Sequence, residues 1–523
     1  MKIVFGIFSD PMSIPASMMS AYILKNKGWD VDTIFFQDND ENKIIEQLTD
    51  SRIDILALSM KTFERSLAFQ VAALAKKIGI KVICGGTHPT YAPEDVQSSL
   101  LFDAIIVGDG MGVLDDILDN HHELKDNTVI SGKTLKDKRF YAMRYYTEKQ
   151  KQLIQSSKMY ELLTNIGCFG KCTFCATNRN FFKIPIDVCA EVLIQDAKEL
   201  DFKSVCVHDD IFTLSAKRLK QFRTLLEKEG MSFFFHVNGR TSIFAEKVAE
   251  ELIAFGATDI VFGVETASSK LSTFLRKKGS YEDACRTAII CRKYDLPFKI
   301  NLLLGLPTQD KEDYELTLDF LQETKPDTIY LNHFVPFPGS YLFDYCIKNG
   351  YMPDNWSYKD YCGVSRDNKD FKGFRQGFGM LKQIDYELVE YYHKKIKEFE
   401  NQLKDTIIYS KIKEIDDRPW VIFGTGTYFY RVIDRIWLHK TNWKNLLGFY
   451  DYWDDNQSER EFFKEEINTS KMPRFAWSKI SKIKPEVVVV TTHEDGNLLT
   501  IDLPYLRNKL NYDGEIVSVS SYQ

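Results

Sequence analysis

The chain has 523 residues, 44% of them hydrophobic, and a formal net charge of -6. That length predicts about three domains with substantial apolar cores, and an acidic balance without a long basic run excludes nucleic acid as the main partner. No apolar run approaches the ~20 residues that span a bilayer. Met1–Phe8 is a short strand followed by Ser9-Asp10-Pro11, not a secretory leader, and ten cysteines in so long a chain fit a reduced interior, so a soluble cytoplasmic protein is expected.

Residues 1–125 alternate short β-branched runs with helical patterns. Strands are predicted at Lys2–Phe8, Val31–Phe36, Asp54–Ser59, Lys81–Cys84 and Asp103–Val107, and helices at Ser17–Lys27, Glu41–Leu48 and Phe63–Lys77. This alternation predicts an open parallel, Rossmann-like sheet with its ligand at the carboxyl ends of the strands. Those ends carry Asp10, Ser59-Met60-Lys61-Thr62, Gly85-Gly86-Thr87-His88-Pro89-Thr90 and Gly108-Asp109-Gly110-Met111-Gly112. A sheet that only docks domains is the alternative. Residues 126–157 read as a linker in which Tyr141, Tyr145 and Tyr146 either line a cleft between domains or, the favoured reading, pack on the surface.

A second strand-helix series occupies residues 158–345, with strands at Glu161–Ile166, Ser204–His208, Ser232–Val237, Asp259–Val264, Phe298–Leu304 and Thr328–Phe334. Ala216–Lys228, Ala245–Phe255 and Tyr281–Tyr294 supply helices between them. Six such repeats predict a partial TIM-type barrel with its reactive face at the strands' carboxyl ends. After the first strand come Cys168, Cys172 and Cys175, spaced C-x3-C-x2-C beside Gly167 and Gly170. Three thiolates cannot all pair as disulfides, and a structural zinc site wants a fourth ligand nearer than His208. Three thiolates on a four-iron cluster leave one iron open to chemistry.

This spacing, with Phe174 just before the last cysteine, resembles the signature of radical S-adenosylmethionine (radical SAM) enzymes. The resemblance implies that Cys168, Cys172 and Cys175 hold a 4Fe–4S cluster whose fourth iron chelates S-adenosylmethionine, and that one electron cleaves the sulfonium to a 5′-deoxyadenosyl radical. It extends to later strand ends. Asp209 and Asp210 stand where the family carries polar groups for the amino end of S-adenosylmethionine, although either aspartate can cap the following helix. Arg240 is placed to grip the cofactor's carboxylate, or else to pair with Asp209 or Asp210. Glu265, in Gly263-Val264-Glu265-Thr266-Ala267, is expected inside the barrel mouth near the ribose or methionine part. Gly305-Leu306-Pro307-Thr308 and Pro336-Phe337-Pro338-Gly339-Ser340 resemble the motifs that hold the adenine, and Asn301 adds a polar contact or satisfies neighbouring backbone. Cys189, Cys206, Cys285, Cys291 and Cys346 lack ligand spacing and predict no second cluster.

Residues 1–125 are similar to the cobalamin-binding domain of one large branch of that family. The likeness implies that Ser59, Thr62, Gly85, Gly86, Thr87, His88, Gly108, Asp109 and Gly110 border a corrin or its nucleotide tail. The Asp-x-His-x-x-Gly motif that supplies an axial histidine is absent, so no ligand to cobalt is expected from the loop after the first strand, and His88 is expected to order its own turn.

The chain from 346 to 415 combines aromatic loops with a charged helix, Ile384–Glu400, read as a brace; Tyr351-Met352-Pro353 and Cys362-Gly363 are candidates to cover the barrel mouth. From 416 a third, small Rossmann-like unit is predicted: Val421–Phe423, a Gly424-Thr425-Gly426-Thr427 turn, the helix Tyr428–Leu438, Leu447–Asp451, Glu486–Thr492 and Glu515–Val519. Tyr430 stands where the nucleotide fingerprint wants a third small residue, so association ranks ahead of nucleotide binding. The expected activity is a cobalamin-dependent radical methylation of an unactivated carbon, or else cyclisation, rearrangement or oxidoreduction with the same cofactors. The substrate is expected to be a small molecule, nucleotide- or carrier-linked if the last unit holds a handle, and a flavodoxin or ferredoxin is the expected electron donor. A non-catalytic iron–sulfur carrier is the competing class.

Overall fold

A computed structural model describes residues 1–361 except 50, 51, 125, 178, 179 and 280, then 380–415, 418–423, 445–450, 474–475, 485–490, 512 and 514–518. The first sheet contains β1 (Lys2–Ile7), β2 (Asp30–Phe35), β3 (Ile55–Ser59), β4 (Lys81–Gly85), β5 (Ala104–Val107) and β6 (Thr128–Ser131), all parallel in the order β2-β1-β3-β4-β5-β6. Apolar residues on successive positions of the central strands bury both faces, as a parallel sheet flanked by helices requires. The sixth strand lies in the stretch read as a linker. Its alternating exposure and edge position explain why no buried run announced it.

The second sheet holds β7 (Met159–Leu162), β10 (Ser204–Val207), β11 (Phe234–Gly239), β12 (Ala257–Glu265), β13 (Phe298–Leu304) and β14 (Thr328–His333) in sequential parallel order. Neighbours in sequence are neighbours in space, the arrangement of a (β/α)6 barrel wall. The expected first strand, 161–166, is broken. It stops at Leu162, and β8 (Asn165–Ile166) instead pairs antiparallel with β9 (Phe182–Lys183). Along β13 the residues Ile300, Leu302 and Leu304 are buried, whereas Lys299, Asn301 and Leu303 are only half-buried and line the interior.

The stretch 126–157 is not a loose tether. Tyr141 and Tyr146 are buried, against the surface packing expected of them, and Tyr145 alone is exposed. One apolar cluster runs from Met18 and Tyr22 through Tyr141, Ile154 and Tyr160 to the barrel core. A smaller cluster gathers Phe63, Phe174, Phe334, Met352 and Tyr361, so the 351–361 segment packs beside the cysteine loop. The helix Tyr386–Ile415 is longer than expected and braces β14, with Glu400 Oε1 accepting from the Ile329 N–H at 3.1 Å.

Beyond it, β15 (Trp420–Phe423), β16 (Leu446–Tyr450), β17 (Arg474–Phe475), β18 (Val487–Val490) and β19 (Glu515–Ser518) form a third parallel sheet in the order β17-β16-β15-β18-β19. Cys362-Gly363, the Gly424–Thr427 turn, the 428–438 helix with Tyr430, and Asp451 lie outside the described residues.

Candidate cofactor centre between two sets of strand ends

The hairpin of β8 and β9 carries the three cysteines, and buried polar groups fix its root. Asp209, fully buried at the end of β10, accepts from the N–H and Oγ1 of Thr164 and from the N–H and Nδ2 of Asn165 at 2.5 to 3.1 Å. Burial pushes its carboxyl up to about 7, against the pull of those donors and of Arg218. Arg218 ties both legs together, donating through Nη2 to the Thr164 and Ile184 carbonyls at 2.8 Å each. Asp209 is thereby corrected from a cofactor ligand, and from a helix cap, to the anchor of the loop. Its acceptor positions are spent. Arg218 was missed; its signal was a cation just before buried Leu219 and one turn before buried Phe222 of an amphipathic helix.

Within the loop each sulfur meets a donor. Gly170 N–H donates to Cys168 Sγ at 3.2 Å, Thr177 N–H donates to Cys175 Sγ at 3.3 Å, and Arg240 Nη2 lies 4.0 Å from Cys172 Sγ. A Cβ at position 170 would sit 2.6 Å from Arg240 Nη1 and 3.2 Å from Cys168 Sγ, so glycine leaves room for this approach. Burial raises the Cys168 thiol, while the Gly170 N–H and the Arg240 charge lower it, and Asp210 and Cys175 are close enough to raise it further. Thr173, between the cysteines, is pinned through its N–H to the Leu275 carbonyl and through its own carbonyl to the Leu342 N–H. A thiol set ringed by N–H donors suits an iron–sulfur cluster, whose sulfurs carry negative charge. Among the described residues no three His, Cys, Asp or Glu side chains converge on a single-ion site. Three thiolates that each hold a different iron need not converge.

The remaining strand-end residues divide. Asp210 is exposed beside Cys168, its carboxyl raised by the surrounding protein and lowered by a Thr177 hydrogen bond, so it is the aspartate open to a ligand. Arg240 is buried and pairs with neither aspartate, which excludes the alternative given it above. Glu265 has a partner that the sequence did not suggest, Lys277 Nζ at 2.7 Å, which itself stands 5.7 Å from the Phe174 ring centre. Its backbone is held at a φ of 69° where β12 bulges, a strained conformation for a residue with a side chain. Asn301 accepts from Asn332 Nδ2 at 3.3 Å inside the wall. Pro336 is buried with its carbonyl taken by the Tyr361 hydroxyl at 2.6 Å, leaving half-buried Phe337 as the apolar surface there.

The two glycine turns of the first sheet present backbone, while charge at its strand ends comes from Asp10 and Lys61. The strand order places the reversal between β1 and β3, the crevice where such sheets bind ligands. Gly86, at a φ of 104°, lets the turn pass Met60, whose N and O would lie 2.9 and 2.6 Å from an added Cβ. Thr90 Oγ1 donates to the Gly86 carbonyl at 2.7 Å and accepts from the Gly108 N–H at 3.0 Å, joining the two glycine turns. Gly108 is exposed with nothing within 4 Å of its missing Cβ, and Gly110 is buried. Ser59 and Gly85 are half-buried, Thr62 is buried and Thr87 exposed. Two expected corrin contacts are corrected. His88 is fully buried, bonded to Asp95 at 2.9 Å and edge-on to Tyr358. Asp109 spends its oxygens on the Met111 N–H and the Tyr141 hydroxyl. Both order their turns.

The two sets of ends face one another. Gly339 is required because a Cβ there would fall on the Tyr91 ring, and Tyr358 donates to Glu94 at 3.0 Å. Charges on Asp10 and Lys61, at the ends of β1 and β3, act on Glu161 of β7 and on His208 beyond β10. A B12 binding domain matches residues 8–118 and the radical SAM superfamily matches residues 162–321.

The chain joins a B12-binding domain to a radical SAM domain.

Curated relatives match at low identity. An uncharacterised methyltransferase of Pyrococcus horikoshii is 25% identical over 61% of this chain and 74% of its own length. The bacteriochlorophyllide d C-8(2)-methyltransferase of Chlorobaculum tepidum is 24% identical over 59% and 71%. Two solved radical SAM structures share the fold. TsrM from Kitasatospora setae, with cobalamin and a 4Fe–4S cluster bound, has a TM-score of 0.56 at 15% identity over 66% of this chain and 75% of that one. OxsB, with aqua-cobalamin bound, has 0.56 at 16% identity over 84% and 71%. No described helix is long and apolar enough to cross a membrane.

Proposed function

We propose that this protein is a cobalamin-dependent radical SAM methyltransferase acting on a carbon of a small-molecule substrate. The observation that carries the proposal is the thiol loop opposite an open glycine ledge, with Asp10 and Lys61 on one side of the gap near enough to perturb Glu161 and His208 on the other. When bound, the cluster and S-adenosylmethionine supply a carbon-centred radical and cobalamin supplies the methyl group.

The chain's own residues bind and orient. Cys168, Cys172 and Cys175 hold the cluster, and the Gly170 and Thr177 N–H groups with Arg240 moderate the charge on its sulfurs. Asp210 is assigned to the ammonium of S-adenosylmethionine, and Glu265, fixed by Lys277, to its ribose side. Phe337 offers an apolar face for the adenine. Gly108, with Ser59, Gly85 and Gly86 beside it, forms the ledge for the corrin, and no histidine lies between Phe8 and Ser13 to ligate cobalt. The required electron comes from a flavodoxin- or ferredoxin-type donor in a reducing, cytoplasmic setting.

The test is anaerobic reconstitution of the full chain with iron, sulfide and hydroxocobalamin, followed by incubation with methyl-labelled S-adenosylmethionine, dithionite and an extract of candidate metabolites. Label in a carbon-methylated product supports the proposal. Reductive cleavage of S-adenosylmethionine with no label in any product would reassign the chain to cobalamin-dependent rearrangement or oxidation.

A further inference from the structure

The barrel side of the gap holds a titratable pair that none of these assignments uses. Glu161 points inward from β7, in register with Cys206 of β10, and His208 follows that strand, its N–H bonded to the Leu162 carbonyl at 2.8 Å. His208 Nε2 stands 3.7 Å from Glu161 Oε1, and the two side chains are 44% and 21% exposed. At that separation they share no direct hydrogen bond, so the pair adds little as a structural contact. A buttress for the wall therefore does not explain two ionisable groups at the mouth of an otherwise apolar strand.

The groups facing them come from several elements. Asp10 after β1, Lys61 after β3, Arg144 from the connecting segment and Tyr146 beside it all act on, or feel, Glu161, as does Cys206. Burial, aided by the Asp10 charge, pushes Glu161 up to about 7, with Arg144 and Lys61 pulling it back. Burial lowers His208, Asp10 counteracts that, and Lys61 adds to it. Burial thus favours the uncharged form of both groups, a protonated Glu161 and a neutral His208.

We propose that Glu161 and His208 form an acid–base pair that exchanges a proton with the ligand on the barrel-facing side of bound cobalamin. The inference rests on the cofactor assignment above. It also narrows the substrate to one with a dissociable proton, on nitrogen, oxygen or an acidified carbon, near the reacting atom. The N–H, O–H or C–H bond of that neighbouring group breaks heterolytically, its electrons stay on the substrate, and the proton passes to the Glu161 carboxylate and from there, relayed by water, to His208 and solvent.

Aquocobalamin provides a probe that needs no substrate, because its cobalt-bound water loses a proton with a change of colour. The full chain is loaded with aquocobalamin, and the aqua-to-hydroxo transition is followed spectrophotometrically beside free aquocobalamin. An ionised carboxylate at that face favours the aqua form, so the bound transition is expected at higher pH, by about tenfold in proton affinity. Glu161→Gln returns it toward the free value, His208→Gln moves it less, and Glu161→Asp keeps part of the shift. A Glu161→Gln protein that binds the corrin with an unmoved transition overturns the inference while leaving the cofactor assignment standing. Failure of the wild-type chain to take up corrin overturns both.

Discussion

The two sets of strand ends reach a ligand site by opposite means. In the first sheet the decisive residues are glycines, and the side chains around them are turned inward: His88 to Asp95, Asp109 to Tyr141, Thr90 across both turns. What the glycine turns leave for a ligand is mostly backbone, with Asp10 and Lys61 as the charges beside it. In the barrel the site is built of side chains that need partners, with thiols under N–H donors, Arg240 over the sulfurs and Glu265 against Lys277. A large flat cofactor asks for shape and clearance; a charged cluster and a sulfonium ask for electrostatics. The two halves therefore fail differently when altered.

The widest separation should come from the cysteines. Serine at Cys168, Cys172 or Cys175 is expected to abolish iron and sulfide incorporation on anaerobic reconstitution while cobalamin uptake persists; a variant with a full complement of iron would break the assignment. Asp209→Asn comes next. It sets an amide's own N–H groups against donors from Thr164 and Asn165, and should cost about 2–4 kcal/mol in denaturant unfolding and loosen iron retention. Unchanged stability would show that the anchor is not needed. Gly86→Ala tests the other half. A methyl driven against the Met60 backbone at a positive φ should cost about 2 kcal/mol and weaken corrin binding in equilibrium dialysis, with iron content intact. The smallest effect is expected from Tyr141→Phe, about 1–2 kcal/mol from the lost bonds to Asp109 and the Leu135 N–H, read as a drop in melting temperature.

Most of this framework was legible in the sequence. Strand-helix alternation located the first five strands of the first sheet and the six strands of the barrel, because buried parallel strands read as compact apolar runs. The cysteine spacing located the cluster loop, since ligands on one loop are close in sequence. What was not legible was long-range. Nothing near Asp209 indicates that its partners are Thr164 and Asn165, and nothing near Glu265 indicates Lys277. Motif residues looked alike until burial separated exposed Asp210 from Asp209, and open Gly108 from His88. Strand β6 escaped notice because an edge strand with alternate residues in water lacks the apolar run that marks its neighbours.

The unbroken apolar cluster through Tyr22, Tyr141, Ile154 and Tyr160 has a practical corollary. Severed near residue 125, neither fragment would be a tidy module: each would carry a greasy scar where the other had been. Because the halves share one core, a change that loosens either is expected to be felt at both sets of strand ends.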